Sequence, residues 1–402
     1  MKHLGILFLL FLISCSNNKP PTLGVTILAS PVSDRSLTPN LFTADNGTIY
    51  LSWLEKTEQQ TEFKYSSLEK KVWTAPKLIS AGNNWFVNWA DFPSFIVNDD
   101  VLSAHWLQKR SEGTYDYDVR ISQSLDQGLT WSESFIPHSD GIAAEHGFVS
   151  MLSLYDRQNF ITWLDGRNTK SSGEHEHGHA GAMTLRAGIF DHQGNMTADW
   201  ELDNRTCDCC QTAAAITDNG PIVAYRDRSE NEIRDIYVTR RVNETWTQPK
   251  AVFDDNWEIS GCPVNGPAIA ARKNQVALAW FTAAKGYSEV KLAISSDAGE
   301  NFEAPIIISQ GKTLGRVGIS ILENGLVAMS WLETENDIAD IMLAVFEFNG
   351  KEIIRQSIAQ TSIERASGFP VMTHYGDQII LAWTVSQDGL SKVKSAEIVL
   401  NL

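Results

Sequence analysis

Positive charge is scarce in this 402-residue chain: 33 Lys and Arg stand against 49 Asp and Glu, for a formal net charge of −16. Non-specific binding of nucleic acid or anionic headgroups rests on neutralising phosphates with Lys and Arg, so this balance argues against a DNA or RNA partner. Cysteine is sparse too, with five in all, and a chain this long is not a disulfide mini-fold. Long apolar runs are nearly missing. The one at residues 4–13 is too short to span a bilayer as a permanent helix. No convincing amphipathic helix appears either. What is present is 43% apolar residues, enough for a sizeable core, and 13 Trp.

The start of the chain, Lys2 and His3 followed by that apolar run, reads as a signal peptide over residues 1–14. Its end, Leu12-Ile13-Ser14-Cys15, resembles the bacterial lipobox. That resemblance implies a lipid on Cys15, a polar tether over residues 15–21, and an exported domain held at a membrane of the cell envelope.

From residue 22 onward the chain repeats. An apolar run, a Gly/Asn/Asp turn and a second apolar run ending in an aromatic recur seven times, closing at Trp53, Trp106, Trp163, Tyr225, Trp280, Trp331 and Trp383. Successive closing aromatics are 53, 57, 62, 55, 51 and 52 residues apart. Such a spacing, filled by short alternating strands, suits one four-stranded sheet per repeat and predicts an all-β fold, a β-propeller of seven blades, with six as the alternative if one hairpin is decoration. The last repeat runs out of chain after its third strand, so the apolar segment at residues 23–29 is expected to close the ring as the missing fourth. One domain covers residues 22–402.

Between the third and fourth strands of the second repeat stands Ser124-Leu125-Asp126-Gln127-Gly128-Leu129-Thr130-Trp131, and a second such segment runs from Ser295 to Phe302. Both resemble the Asp-box of the sialidase superfamily, and the chain is similar to bacterial BNR-repeat proteins over nearly its whole length. In that family Asp-boxes are structural, and the opposite face carries the active site. The resemblance implies three arginines on a substrate carboxylate, an Asp acid/base and a Tyr/Glu pair. Arg226 and Arg316 sit where two of the arginines would be, but Leu37-Thr38-Pro39 replaces the motif of the first. No Tyr/Glu pair is assigned from the sequence.

In a propeller, the loops joining strand D to the next A and strand B to C share one face. Here they carry Trp85, Trp89, Asp91, Glu145, His146, Arg167, Arg226, Arg228, Arg316 and Arg365. Several guanidiniums in one concave site would fork onto carboxylate or sulfate, pointing to an acidic glycan. Trp85 and Trp89 would stack on sugar rings. Asp91 is a candidate carboxyl for hydrolysis. For elimination, Arg226 or Arg316 would neutralise a uronate while His146 or Tyr115 takes the proton. A non-catalytic glycan- or protein-binding module is the rival class. The protein is expected to be a monomer.

Cys207, Cys209, Cys210 and Cys262 fall in neighbouring loops of the same face. In an exported protein two disulfides are the default. The rival is a zinc or copper site completed by histidines of the run at residues 174–179, with His179 as the candidate ligand. No other cofactor is expected.

Overall fold

The computed structural model describes residues 20–170, 181–387 and 389–401. The signal peptide, Cys15, and the histidines at 175, 177 and 179 lie outside the described residues. Those described form seven small antiparallel sheets, six of them with strands in the order A-B-C-D and one with A-B-C, arranged as a seven-bladed β-propeller.

The closing aromatics explain why the core is divided seven ways. Side chains alternate across a strand, so each B strand offers one row to either neighbouring blade. The B strands of blades 1, 3, 5, 6 and 7 are Ile49–Lys56, Asn159–Asp165, Gln275–Thr282, Val327–Glu335 and Gln378–Gln387. Trp53, Trp163, Trp280, Trp331 and Trp383 on them are all fully buried. Each packs into the apolar cluster that joins its own blade to the preceding one. Trp106 does the same between blades 1 and 2, and Tyr225 between blades 3 and 4. In three blades the indole N–H donates to the carboxylate two residues on, from Trp53 to Glu55 at 3.2 Å, Trp163 to Asp165 at 2.9 Å and Trp331 to Glu333 at 2.9 Å. A spacing of two keeps donor and acceptor on one face of the strand.

Ring closure follows the expectation. Thr22–Leu28 pairs antiparallel with Leu390–Asn401, supplying strand D of blade 7 from the opposite end of the chain. Blade 2 departs from it. Its sheet holds Ser94–Asn98, Val101–Lys109 and Tyr117–Ser124, and its fourth strand shrinks to one bridge between Ile121 and Phe135.

The two Ser-x-Asp-x-Gly segments fold as matched turns on the face away from the D-to-A loops. Asp126 accepts the Thr130 amide at 2.9 Å and its hydroxyl at 2.6 Å, while the Gly128 amide donates to Ser124 Oγ at 2.8 Å. Asp297 accepts the amide and side chain of Asn301 in the same way, both at 2.9 Å. Gly128 has φ +82°, and a Cβ there would lie 2.0 Å from the Tyr65 hydroxyl of blade 1. Glycine is therefore required twice over, by backbone conformation and by the neighbouring blade.

Candidate functional site

Three groups of polar side chains gather on the face of the D-to-A and B-to-C loops, over blades 2 to 4. The first forms where the loop into blade 2, the start of its strand Tyr117–Ser124 and the loop into blade 3 meet. Tyr117 Oη lies 3.0 Å from Asp91 Oδ2 and 2.9 Å from Glu145 Oε1, and the Phe148 amide donates to Asp91 Oδ1 at 2.7 Å. Tyr117 is fully buried and Asp91 is 2% exposed, whereas Glu145 is half-buried.

One phenol has one proton. It can donate to only one of these carboxyls, so the other satisfies the phenol oxygen best by carrying a proton itself. The electrostatics agree. Burial pushes Asp91 up to about 8, with the Glu145 charge adding and the Phe148 amide and Tyr117 hydroxyl opposing. Burial likewise lifts Glu145 to about 7, helped by Asp208 and opposed by Tyr117 and Lys170. Both carboxyls are thereby pushed toward the protonated form near neutral pH, and Glu145 is the less buried of the two.

A stability consequence follows. A carboxyl whose folded pKa is raised contributes stability that is complete below its unfolded pKa, near 4, and is lost as pH rises through the folded value, here about 7 to 8. Thermal melting of the wild type is therefore expected to fall from pH 5 to pH 9. Asp91→Asn mimics the protonated acid, accepting from Phe148 and donating to Tyr117, and should flatten that decline. Parallel pH curves for the two proteins would show that Asp91 does not take up the proton.

The second group is a stack of two imidazoles. His138 and His146 lie face to face at 3.7 Å, and both are buried. His146 Nδ1 is 3.1 Å from the Ala144 carbonyl, which can only accept, so that nitrogen carries a proton. Nε2 then faces Asp140 Oδ2 at 3.1 Å and Asp165 Oδ1 at 3.6 Å. His146, expected to meet a substrate, sits in this closed arrangement, fully buried and with a partner at each ring nitrogen.

Most of the arginines are likewise engaged within the fold. Arg226 donates to the carbonyls of Asn265, Arg234 and Phe281 at 2.7 to 3.1 Å, and is buried under Trp257. Arg316 is held by Ser367 Oγ and the Gly368 carbonyl, both at 2.8 Å, and lies 5.0 Å from the Trp89 ring. Both brace loops. The three-arginine grasp of a carboxylate is not assembled. Arg167 forks onto Asp165, and Arg228 is spent on Asp208 and Glu232. Trp85 stacks on Trp106 at 5.3 Å as packing. Carbonyl acceptors carry no side-chain signature, which is why the sequence could not distinguish a bracing arginine from a binding one.

Arg365 remains exposed, 6.0 Å from the Trp89 ring. Trp89 itself stacks on Phe369 at 5.9 Å and lines a cleft of about 690 Å³ at the seam of blades 7 and 1. Arg35 and Lys56 line its walls with Glu364 opposite. Trp89, Ala90 and Asp91 are consecutive, so one loop runs from this cleft to the carboxyl trio. Gln211 Nε2 pins that loop by donating to the Ala90 carbonyl at 2.5 Å, above an axial channel of about 290 Å³.

No protein-family model matches the sequence, and no curated protein matches it. Among solved structures, the polysaccharide lyase Uly1 aligns with a TM-score of 0.55 at 8% identity, over 92% of this chain and 91% of that one. A GH93 α-L-arabinofuranosidase of Fusarium graminearum in complex with arabinobiose aligns at TM-score 0.48 and 12% identity, over 93% and 97%. NanB sialidase from Streptococcus pneumoniae aligns at 0.44 and 12%, over 92% and 70%. Identity this low shows a shared fold. It assigns no residue.

The third group is the cysteines. Cys207, Cys209 and Cys210 converge at the entry to blade 4, whereas Cys262 is exposed and outside the group. All four stand as free thiols in this structure, with no disulfide joining them. His179 lies outside the described residues.

Proposed function

We propose that this protein is a glycan-active enzyme that holds an acidic carbohydrate across the face of the D-to-A loops and uses Glu145 as its general acid/base. The observation that carries the reading is the Asp91–Tyr117–Glu145 trio, because a half-exposed carboxyl titrating near 7 is poised for proton transfer at neutral pH. Tyr117 and Asp91 are closed to substrate and act as positioning residues. The cleft beside Trp89 supplies an aromatic platform and, in Arg35 and Lys56, cations with no carboxylate ion-pair partner among the described residues, with the exposed Arg365 6.0 Å from the same ring. The similar architecture of a polysaccharide lyase supports a carbohydrate ligand.

The test is incubation of the purified protein with uronate-containing and sulfated polysaccharides, reading new reducing ends and the ultraviolet absorbance of an unsaturated uronate. Reducing ends alone mean hydrolysis, and both signals together mean elimination. Binding without either would replace the enzyme with a glycan-binding module.

We further propose that the domain is lipid-anchored through Cys15 at the cell envelope. Metabolic labelling with a fatty acid should mark the wild type and miss Cys15→Ser, whereas equal labelling of both would place the lipid elsewhere.

A further inference from the structure

Three thiols meet where the chain enters blade 4. Cys207 Sγ lies 3.5 Å from Cys210 Sγ and 3.8 Å from Cys209 Sγ, and all three sulfurs are within 4.8 Å of one another. The backbone that presents them is fixed: the Cys207 amide donates to the Arg226 carbonyl at 3.1 Å, and Thr212 Oγ1 donates to the Phe148 carbonyl at 2.7 Å. Cys207 and Cys210 are 0% and 2% exposed, and Cys209 closes the group from the half-buried side.

We propose that Cys207, Cys209 and Cys210 form a tri-thiolate site for a soft, thiophilic cation, zinc or copper(I). Zinc–thiolate bonds of about 2.3 Å in a tetrahedral array separate the sulfurs by about 3.8 Å, and the spacings here already match that span. Three clustered thiols cannot all be paired as disulfides among themselves. The one remaining cysteine described, Cys262, is exposed and does not join them. Arg234 Nη1 lies 3.2 Å from Cys207 Sγ, a charge-assisted donor that suits a thiolate, and Arg234 is itself held by Glu232 at 2.7 Å. This is the arrangement of a metal ligand with an outer partner.

Binding releases a proton from each thiol that ligates, and the cation takes their place among the sulfurs. Asp208, between Cys207 and Cys209 in the chain, is among the charges that raise Glu145. The metal site does not depend on the glycan reading, and its test needs no substrate.

The experiment uses the full chain, purified without chelator under anaerobic conditions. Metal content and reactive thiols are counted together, and the metal-free protein is then titrated with zinc and, separately, with copper(I) against a competing chelator. One equivalent of metal is expected, with Cys209→Ser weakening it by about a hundredfold or more and Cys262→Ser binding as the wild type does. Cys209 is chosen because it is the least buried of the three, and a thermal melt of the metal-free variant checks its fold. Tighter retention of one metal identifies the cation. A stoichiometry near zero in all preparations would overturn the proposal, as would unchanged affinity in Cys209→Ser, or two of the three sulfurs found as a disulfide.

Discussion

Glu145→Gln is expected to lower turnover on an acidic polysaccharide by roughly two to four orders of magnitude, the usual contribution of a positioned general acid/base. The substitution is nearly isosteric, and the amide oxygen can still accept the Tyr117 hydroxyl that now lies 2.9 Å from Glu145 Oε1. Folding should therefore be spared and KM should change little, so the loss should appear in kcat. The pH profile adds a second reading. Because burial holds Glu145 near 7, the wild-type rate should show a limb close to neutrality that disappears in the variant. Tyr117→Phe should move that limb upward, because Glu145 would lose the hydroxyl whose hydrogen bond favours its charged form, and it should also cost about 1 to 3 kcal/mol of stability. Full activity in Glu145→Gln would sink the assignment, whatever the substrate.

The second large effect is structural. Trp331→Ala should destabilise the propeller by about 3 to 5 kcal/mol. Its ring is fully buried at the seam of blades 5 and 6, under the Arg355 guanidinium at 5.0 Å. Its N–H donates to Glu333, whose same oxygen accepts the Ser309 hydroxyl of blade 5 at 2.6 Å. Alanine would remove the ring and take one of that carboxylate's two donors. A domain's net stability is only about 5 to 15 kcal/mol, so this one change should take a large part of it, visible as a fall in the denaturant midpoint. Trp331→Phe should lose much less. Equal midpoints for Trp331→Ala and the wild type would mean that the seams are not what holds the ring.

The ring was legible in the sequence because each blade writes the same local signal: alternating strands, a turn, and an aromatic at the end of strand B. Trp53 through Trp383 could be counted before any contact was known, and the apolar segment near Leu23 was left over in the one place where a fourth strand was missing. Blade 2 shows the limit, since nothing between Trp131 and His138 announces that its outer strand shrinks to a single bridge. The site was legible only as a set of loops. Asp91 was found because it lies in one of them, yet its partner Tyr117 reads as an ordinary strand residue, and Glu145 stands 28 positions further on. Their meeting depends on how two blades are set side by side. Arg226 looked like an anion ligand because its acceptors are main-chain carbonyls of residues 234, 265 and 281, which any sequence would supply.

Thr22 and Asn401 are neighbours in space at 379 positions apart in the chain. A growing polypeptide can assemble six blades in order, but the seventh waits for its own last residues and then for the first ones. Until that ladder forms, the strand from Leu390 to Asn401 has an open edge able to pair with another chain. Ring closure is thus a contact between the two ends of the chain, of the kind that topology makes slow and exposes to aggregation. Loss of a few C-terminal residues should leave an open arc of blades, competent in local structure but without a clasp.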